Sequence, residues 1–381
     1  MNESPLIIAQ IMGKMNAGGV ESVVMNYYRH IDKEKIQFDF IVDEDSGFIP
    51  YDEIEKLGGR VFTIPPYHKP VAYHKALVNL LAKNGYKIVH SHINTLSVFP
   101  LFAAKRAGVP VRIAHNHSVA GKGETSRNIL KYALRPFSKL FPTHFCACAE
   151  HAGRWLFGNK LYDLGKVNIV SNAVDMSKFD YDAETRHAIR TELNIDDKFV
   201  VGHVGRFVFP KNHLFLMEIF AQVHSQMRES VLLLVGDGEL EQEIRSKVEQ
   251  LNLTDCVLFL GVRNDVHRIL QGMDVFMLPS LYEGLPVVSI EAQASGLRLV
   301  VSNQVPAEAN ITSSIEYVDL TQSAEEWARI ILRHPANDRE STSRRILESN
   351  YNIRIAAKQL EEFYLACFIL PFSGDYGSSP E

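Results

Sequence analysis

Short apolar segments alternate with helix-like segments along this chain, and the alternation runs through twice. Apolar runs rich in Val, Ile, Leu and Phe, bounded by Gly or polar residues, predict buried strands. A first series is predicted at residues 6–12, 38–42, 60–64, 87–92, 111–115, 143–148 and 168–170. A second series is predicted at residues 199–205, 231–236, 256–261, 275–279 and 297–302. Strands that alternate with helices predict an α/β fold, in which mostly parallel sheets carry helices on both faces.

The interruption between the two series predicts the domain organisation. Residues 173–198 are polar and charged and contain no apolar run that could form a strand. At about 150 residues per domain, a chain of 381 residues has room for two to three domains. We therefore predict two doubly wound, Rossmann-like domains, 1–172 and 173–355, which face a central cleft. In such sheets, ligands bind beyond the carboxyl ends of the strands.

Charge and cysteine content exclude several classes of protein. The net charge is −5, which argues against general binding of nucleic acid. Residues 1–172 are nevertheless basic, with 21 Lys and Arg against 14 Asp and Glu, and the remainder is acidic. Four cysteines are too few for a disulfide scaffold, and neither a secretory signal nor a run of about 18 apolar residues is visible. We therefore expect a reduced, cytoplasmic protein without a transmembrane segment.

The first predicted strand leads into a loop with two adjacent glycines, Gly18 and Gly19. Gly13 and Gly18 are separated by four residues, as in a P-loop, but Gly19 and Val20 stand where a P-loop needs Lys and Ser or Thr. The dinucleotide-binding pattern G-x-G-x-x-G is not matched either. Paired glycines at a helix start let an anion approach the helix N–H groups, although a plain strand-to-helix turn has the same sequence. Both interpretations stay open.

Two pairs of histidines stand at the ends of neighbouring predicted strands. His90 and His92 form one pair, and His115 and His117 form the other. Alternation along a strand places both members of a pair on one side of the sheet. Four imidazoles could bind a metal, but no carboxylate accompanies them, and such pairs more often form hydrogen-bonded structure. We expect substrate contact or polar support from one of them and no metal site.

The first loop of the second half carries two cations. Gly205 ends the strand at 199–205, and Arg206 and Lys211 follow it. An arginine fork and a lysine point charge at the end of a strand suit a diphosphate, although two ordinary surface cations would have the same sequence. Gly236 and Gly238 form a Gly-x-Gly turn after the next strand, which is a common pattern and weak by itself.

The segment from Glu283 to Gly296 gives the strongest signal for a ligand site. Pro286 suits the first position of a helix, and Gly296 suits its end. The start of that helix would offer N–H groups and a positive dipole to a phosphate. Glu291 lies within the predicted helix, eight residues after Glu283. A turn residue and a solvated helix face would explain the two carboxylates separately, but the pair favours a functional role.

Taken together, these residues resemble a known family. Over essentially its whole length the chain is similar to retaining glycosyltransferases of family 4 (glycosyl transferases of group 1), which have the GT-B fold and assemble capsular polysaccharide and exopolysaccharide. The spacing of Glu283 and Glu291, together with Gly205, Arg206 and Lys211, carries most of the resemblance. It implies a C-terminal helix or tail, 356–381, that crosses back to the first domain.

The resemblance also implies a role for each matching residue. Arg206 and Lys211 would neutralise the donor diphosphate as the nucleotide leaves, and Glu283 would lie beside the donor sugar. His115 would lie in the active site between donor and acceptor, with His117 as its competitor for that role. The other donor-binding positions are the ribose-binding Glu291, the base-contacting Val262, and the backbone of Gly18, Gly19, Gly205, Gly236, Gly238, Gly284, Leu285, Pro286 and Val287.

A basic segment in the first half suggests how the acceptor is met. Residues 101–139 hold eight Lys and Arg and one acid, Glu124. Arg127 and Lys131 begin a series of cations at intervals of four, beside an apolar stripe. This pattern is typical of an amphipathic helix on an anionic membrane, and equally of a helix that packs on its own core and is kinked or ended by Pro136.

The function predicted from these features is transfer of a sugar from a nucleoside diphosphate sugar, with UDP as the default nucleotide, to a saccharide or polyprenyl-diphosphate-linked acceptor. Cations and helix N–H groups would stabilise the leaving phosphate without a cofactor or metal. Peripheral contact with an anionic membrane stays one of two open interpretations of the basic segment, and nucleic acid is not an expected partner. Two alternatives stay open: a nucleotide-sugar epimerase with the GT-B fold, and a non-catalytic subunit of a polysaccharide assembly complex.

Overall fold

The computed structural model describes residues 4–16, 18–118, 125–333, 339, 346 and 348–369, and within these it describes no side chain of 125–128. The described residues divide into two compact units. The first takes in the chain up to residue 118, Thr125–Ala173 and the C-terminal helix, and the second takes in the described residues of Val174–Asn352.

The first unit is built on a parallel sheet of seven strands in the order β3-β2-β1-β4-β5-β6-β7. These strands are β1 Leu6–Gly13, β2 Ile36–Asp43, β3 Arg60–Ile64, β4 Ile88–Ser91, β5 Val111–Asn116, β6 His144–Ala147 and β7 Val167–Ile169. Its helices are α1 Gly19–His30, α2 Tyr51–Lys56, α3 Pro70–Asn84, α4 Val98–Arg106, α5 Thr125–Leu134, α6 Glu150–Phe157, α7 Asn159–Asp163 and the C-terminal α15 Ile353–Ile369.

The second unit is built on a parallel sheet of six strands in the order β10-β9-β8-β11-β12-β13. These strands are β8 Phe199–Val204, β9 Ser230–Val235, β10 Val257–Gly261, β11 Val275–Leu278, β12 Arg298–Ser302 and β13 Ile315–Val318. Its helices are α8 Met176–Phe179, α9 Ala183–Glu192, α10 His213–Gln226, α11 Glu241–Gln250, α12 Val266–Gly272, α13 Val287–Ala294 and α14 Ala324–Leu332.

The strand order of each sheet fixes where a ligand can bind. In the first sheet, the strands that follow β1 in sequence lie on one side of the β1–β4 pair, and the strands that follow β4 lie on the other side. In the second sheet, β8 and β11 form the corresponding pair. The loops that leave two such neighbouring strands diverge to opposite sides and open a crevice at their carboxyl ends. Residues that follow β1, β4, β8 and β11 are therefore the first candidates for a site.

The predicted α/β fold with two Rossmann-like sheets is confirmed. All twelve predicted strands are present, and their bounds differ from the predicted ones by no more than a few residues. The strand β13, with the sequence Ile-Glu-Tyr-Val, was not predicted, because its four residues carry two polar or amphipathic side chains at the edge of the sheet. Residues 173–198 contain no strand, as predicted, but they form the helices α8 and α9, each capped by an aspartate.

The basic segment of the first unit is not one continuous α-helix. The helix α5 ends at Leu134, and a 3-10 turn, Arg135–Lys139, follows it. Pro136 explains this end, because a proline lacks the N–H that an α-helix needs and clashes with the preceding turn. The interval of four that the sequence suggested for the cations therefore does not describe one helix face beyond Leu134.

Candidate active site

A lysine and a glutamate from two different loops meet at the carboxyl edge of the second sheet. The Nζ of Lys211 lies 2.6 Å from the Oε1 of Glu283. The hydroxyl of Ser280 donates to the same oxygen at 2.6 Å. Both charged side chains are largely buried, with 16% of Lys211 and 10% of Glu283 exposed. A shielded ion pair of this kind holds a positive and a negative charge in fixed positions beside the β8–β11 crevice.

Local backbone geometry brings these two loops together. Lys211 ends the 3-10 turn Phe209–Lys211, and Asn212 then adopts the left-handed conformation (φ 57°) before α10 begins. The N–H of Leu281 donates to the carbonyl of Pro210 at 2.8 Å, and the side-chain amide of Asn212 donates to the carbonyl of Pro279 at 3.1 Å. These two bonds tie the loop after β8 to the loop after β11, so the ion pair is positioned from both sides.

Two other predicted donor-site residues present their side chains to solvent. Arg206 is exposed, and it makes no ion pair or side-chain hydrogen bond within the described part of the chain. Val262, the first residue after β10, is 63% exposed. Arg206 is thus an exposed cation close in sequence to Lys211, which the ion pair holds in place. The apolar side chain of Val262 is not covered by the described residues of its own unit.

Two of the predicted glycines of the second unit, Gly236 and Gly238, are required by close backbone packing. A Cβ on Gly236, which has φ +130°, would lie 2.2 Å from the carbonyl oxygen of Gly205. A Cβ on Gly238 would lie 2.5 Å from the carbonyl oxygen of Phe207. The N–H of Phe207 donates to the carbonyl of Asp237 at 2.6 Å, which locks the two loops together. These glycines therefore support the loop of Arg206 and Lys211, whether or not they also touch a ligand.

The helix α13 begins where the sequence suggested, with one difference. Pro286 is the N-cap residue rather than the first residue of the helix, which is Val287. Gly284 and Leu285 precede it in the same loop as Glu283. The first N–H groups of a helix have no intrahelical acceptor, so the start of α13 offers donors and the positive end of the helix dipole. The helix ends at Ala294, and Gly296 follows with φ +69°.

The second carboxylate of the predicted pair lies half-buried on α13. Glu291 makes no ion pair or side-chain hydrogen bond with the described residues, and burial raises its pKa to about 7. A carboxylate on a fully solvated helix face would be exposed, whereas Glu291 is half-buried, and this favours a functional role. A half-ionised carboxyl without a partner is available to accept hydrogen bonds from ligand hydroxyl groups.

The paired glycines of the first unit open a helix, as predicted. Gly18 is the N-cap of α1, and Gly19 is its first residue. A Cβ on Gly18 would come within 2.7 Å of the Glu21 carboxylate, whereas a Cβ on Gly19 would meet nothing within 4 Å. The Glu21 carboxylate is the far end of a flexible side chain and could move aside, so packing within the unit requires glycine at neither position. Close approach of a ligand would explain the glycine at 19.

The four predicted histidines lie together on one face of the first sheet. The rings of His90 and His92 stack at 4.2 Å between centroids, and those of His115 and His117 stack at 3.9 Å. All four are buried. The Nε2 of His90 lies 3.1 Å from the Nδ1 of His115, and the Nδ1 of His92 lies 3.0 Å from the Nε2 of His117. The cluster is therefore a set of mutually hydrogen-bonded imidazoles.

Burial keeps these imidazoles neutral. It lowers the pKa of His90 and of His117 to about 3, and it lowers the pKa of His92 and His115 well below the usual range, with further lowering from neighbouring histidines. Ring nitrogens of three members, His90, His92 and His115, lie within 4.8 Å of one another, close enough to hold a metal ion. Every nitrogen of His90 and His92 is already in a hydrogen bond, so a metal would have to displace those bonds.

Two residues that complete this cluster were missed by sequence reasoning. The hydroxyl of Tyr364, on α15, lies 2.6 Å from the Nδ1 of His90, and Gln10, on β1, contacts both Tyr364 and His92. The contact between Tyr364 and His90 spans 274 positions, and no local pattern marks it. In the second unit, Ser280 was also missed, although it stands only three residues before Glu283.

The acceptor-side residues are only partly described. Arg127 lies in α5, but its side chain is outside the described residues. Lys131 lies on the same helix, amid large apolar side chains that face solvent. These exposed residues are Ile129, Leu130, Tyr132, Phe137 and Leu140.

Models of two glycosyltransferase domains match the chain. The model described as Glycosyltransferase Family 4 matches residues 17–178, and the model described as Glycosyl transferases group 1 matches residues 198–335. The first match lies almost wholly in the first unit and extends a few residues past Ala173, and the second match lies in the second unit.

Curated relatives match over most of their length. The putative glycosyltransferase EpsF of Bacillus subtilis is 36% identical over 348 residues, which cover 89% of this chain and 90% of that protein. A UDP-Gal:alpha-D-GlcNAc-diphosphoundecaprenol alpha-1,3-galactosyltransferase of Escherichia coli is 29% identical, over 79% of this chain and 80% of that protein.

Solved structures share the fold. The crystal structure of Anabaena Alr3699/HepE in complex with UDP and glucose superposes with a TM-score of 0.78 at 18% identity, over 95% of this chain and all of that one. WaaG, a glycosyltransferase involved in lipopolysaccharide biosynthesis, superposes with a TM-score of 0.74 at 13% identity, over 94% of this chain and 99% of that one.

Proposed function

Because this chain belongs to the group 1 glycosyl transferases of family 4, we propose that it moves a sugar from a nucleoside diphosphate sugar to a lipid-linked saccharide during assembly of a surface polysaccharide. Family membership makes it a glycosyltransferase. The proposal concerns its donor, its acceptor and the way in which its residues carry the reaction.

The observation that carries the proposal is the ion pair of Lys211 and Glu283 beside the start of α13. Breaking a sugar–diphosphate bond builds negative charge on the departing phosphate. Lys211 and the N–H groups at the start of α13 stabilise that charge, and they are held in place before the reaction starts. The exposed Arg206 adds a second cation when the donor binds. Glu283, 2.6 Å from Lys211, holds the lysine in position and accepts hydrogen bonds from the donor sugar.

We infer that the product keeps the anomeric configuration of the donor. Membership of this family supports retention, and no carboxylate is assigned as a covalent nucleophile. Glu283 is bonded to Lys211 and Ser280, and we assign Glu291 to the nucleotide. A double displacement of the glycosidase type would need a free carboxylate about 5 Å from its acid partner.

UDP is the proposed nucleotide of the donor. The E. coli relative is named for a UDP-Gal donor, and the Anabaena structure holds UDP with glucose. In this chain, Glu291 would accept hydrogen bonds from the ribose hydroxyls, and the exposed Val262 would pack against the base. These two residues and Lys211 would then contact the ribose, base and phosphate parts of one nucleotide.

We propose that transfer needs no divalent metal. Lys211, Arg206 and the start of α13 supply the positive charge that a metal would otherwise bring to the diphosphate. Full activity in EDTA is the expected result. Activity that disappears in EDTA and returns with magnesium or manganese would refute this part of the proposal.

The acceptor is assigned to the first unit. The E. coli relative is named for a diphosphoundecaprenol-linked acceptor, and a Campylobacter jejuni relative, 26% identical over 60% of this chain, is named for another. We assign His115 to contact with the reacting sugars. A lipid-linked acceptor would bring the enzyme to a membrane surface.

A basic apolar surface on the first unit suits that location. It comprises α5 from Ile129 onward, the 3-10 turn after it and Leu140, which follows that turn, and Ile129 and Leu140 are 72% and 62% exposed. Lys131, Arg135 and Lys139 alternate with these apolar residues. Apolar side chains interleaved with cations bind anionic bilayers. No described helix is long and apolar enough to cross a membrane, so the proposed contact is peripheral.

Vesicle co-sedimentation tests the membrane contact with a matched pair of variants. Leu140→Asp should reduce binding to vesicles of anionic lipid severalfold at low salt. Leu164→Asp, at a leucine of the same unit that is equally exposed (61%), should leave binding unchanged. Equal binding by both variants, or no binding by the wild type, would reject the surface.

Turnover with defined substrates tests the function itself. The chain is incubated with a panel of nucleotide sugars and an undecaprenyl-diphosphate-linked sugar, and the products are resolved by mass spectrometry and by NMR of the new anomeric carbon. We expect transfer from one UDP-sugar with retention. A donor that is epimerised without an acceptor would favour the epimerase instead, and an inverted product would contradict the mechanism.

A further inference from the structure

The imidazole cluster of the first unit is part of a continuous chain of hydrogen bonds. Beginning at His117, contacts of 3.0, 2.8, 3.2, 2.6 and 3.1 Å connect six side chains. In order, these are His117, His92, Gln10, Tyr364, His90 and His115. All six are buried. Because the four imidazoles are neutral, each carries one proton, on one of its two ring nitrogens. The nitrogen that is protonated in one residue therefore determines which nitrogen is protonated in the next residue of the series.

The lengths of the two bonds at Tyr364 give the chain its direction. An O–H donor makes shorter hydrogen bonds than an N–H donor. The contact of 2.6 Å to the Nδ1 of His90 fits a hydroxyl that donates, and the contact of 3.2 Å from the Nε2 of Gln10 fits an amide that donates to the hydroxyl oxygen. Tyr364 therefore donates to His90 and accepts from Gln10.

This direction fixes the tautomer of His115. Since the Nδ1 of His90 accepts from Tyr364, its proton is on Nε2 and is donated to the Nδ1 of His115. The proton of His115 must then be on its own Nε2. That nitrogen is buried and has no partner among the described residues. A buried N–H without an acceptor is costly, so natural proteins seldom keep one without a use.

At the other end of this series of hydrogen bonds, His117 offers an acceptor instead of a donor. The Oε1 of Gln10 accepts from the Nε2 of His92, so the Nδ1 of His92 accepts from the Nε2 of His117. The remaining nitrogen of His117 is therefore an acceptor. His115 and His117 stack at 3.9 Å and yet offer a donor and an acceptor, respectively.

We propose that Tyr364 is a positioning residue, whose hydroxyl, acting through His90, holds His115 in the Nε2–H tautomer so that His115 donates a hydrogen bond to an oxygen of the reacting sugars. The contact with the sugars rests on the proposed function. The tautomer itself rests on the series of hydrogen bonds and on the neutrality of the buried imidazoles. The inference gives α15 a chemical role, since this C-terminal helix would set the protonation of a group on β5.

Nitrogen–proton NMR of the full chain, labelled on histidine and assigned with His115→Gln, tests the tautomer directly. In the wild type, His115 should show a protonated Nε2 and an unprotonated Nδ1. Tyr364→Phe removes the donor to His90, and His115 should then populate the other tautomer. Tyr28→Phe is the matched control, because it removes another buried hydroxyl of the first unit, bonded to Gln37 at 2.7 Å, and leaves the chain intact.

Gln10→Glu provides a second variant with a sharper outcome. The new carboxylate would accept from both His92 and Tyr364, so Tyr364 could no longer donate to His90. The direction of the bonds from Tyr364 onward should reverse, and His115 should move fully to the Nδ1–H tautomer. This variant tests the chain without removing the hydroxyl of Tyr364.

Turnover connects the tautomer to the reaction. Loss of one donor to the reacting sugars should lower kcat about tenfold in both variants that change the tautomer, with donor KM little changed, while Tyr28→Phe keeps wild-type kcat. A wild-type His115 protonated on Nδ1, or a tautomer that Tyr364→Phe leaves unchanged, would overturn the inference whatever the activity. A changed tautomer with wild-type kcat would overturn the substrate contact, and absence of any transfer by the wild type would count against the proposed function alone.

Discussion

The carboxyl edges of the two sheets carry different chemistry on the same architecture. At the edge of the first sheet, four imidazoles are buried, neutral and bonded to one another. At the edge of the second, Lys211 and Glu283 keep opposite charges 2.6 Å apart. Both groups stand where the strand order reverses, the place at which parallel α/β sheets bind ligands.

The difference teaches what each unit can contribute. Fixed charges stabilise a phosphate that gains negative charge, and they do so most strongly in a partly buried setting. Neutral imidazoles cannot do this, but they can place single hydrogen-bond donors and acceptors with a defined direction. We therefore assign charge stabilisation to the second unit and orientation of neutral hydroxyl groups to the first.

The charged site should be the more sensitive of the two. Glu283→Gln removes the partner of Lys211 and the charge beside the donor sugar, and kcat should fall about 100-fold to 1,000-fold. Glu218→Gln is the control, because Glu218 makes a similar pair with Lys247 at 2.7 Å in the same unit. Wild-type turnover by Glu283→Gln would remove the ion pair from the mechanism.

A pair of glycine substitutions tests which unit needs glycine for packing and which for a ligand. Gly236→Ala should lower the free energy of unfolding by about 2–4 kcal/mol, since its Cβ would lie 2.2 Å from the Gly205 carbonyl oxygen. Gly19→Ala should change it by less than about 1 kcal/mol and still weaken donor binding. Urea unfolding and UDP titration measure the two effects. Equal destabilisation by both substitutions would contradict this division.

The pH dependence of donor binding should come from Glu291. The pKa of this carboxyl is raised to about 7, so its charge is lost as pH falls through neutrality. A neutral carboxyl accepts hydrogen bonds less well, and Kd for UDP should therefore rise severalfold, up to about tenfold, from about pH 8 to about pH 6. Glu291→Gln should bind UDP with a flat profile. An unchanged slope in that variant would assign the titration to another group.

The imidazole cluster should contribute no pH dependence in the same range. The pKa values of His90 and His117 are lowered to about 3, and those of His92 and His115 also lie well below their usual range. In the Glu291→Gln background, kcat should thus vary by less than about twofold between about pH 6 and about pH 8. A step near pH 6.5 that disappears with His115→Gln would show that the cluster titrates.

Sequence patterns predicted the secondary-structure elements better than they predicted contacts between residues far apart in the sequence. Apolar periodicity located twelve strands, because buried strands of a parallel sheet are apolar throughout, and it missed β13, where Glu316 and Tyr317 interrupt the pattern at an edge. The spacing of Glu283 and Glu291 marked the segment that we propose as the donor site. Lys211 pairs with Glu283, which lies 72 positions later in the sequence. This contact depends on how two loops pack, and no local sequence pattern predicts it.

The same limit applies to the first unit. Alternation placed His115 and His117 on one face, but nothing near them in sequence indicates Tyr364 or Gln10. The glycines at 236 and 238 were assigned to the donor site, whereas their contacts give a reason internal to the protein, the packing of two loop backbones. Glycine alone does not reveal whether its neighbour is a ligand or the chain itself.

Calorimetric titration of UDP in the presence of EDTA tests the central claim most directly. We expect the wild type to bind UDP without metal, and Lys211→Met to bind it at least about tenfold more weakly. Lys247→Met, which breaks the comparable pair with Glu218, should bind like the wild type. UDP binding that is abolished by EDTA, or equal affinity in Lys211→Met and Lys247→Met, would contradict the assignment of the second unit as a metal-independent nucleotide site.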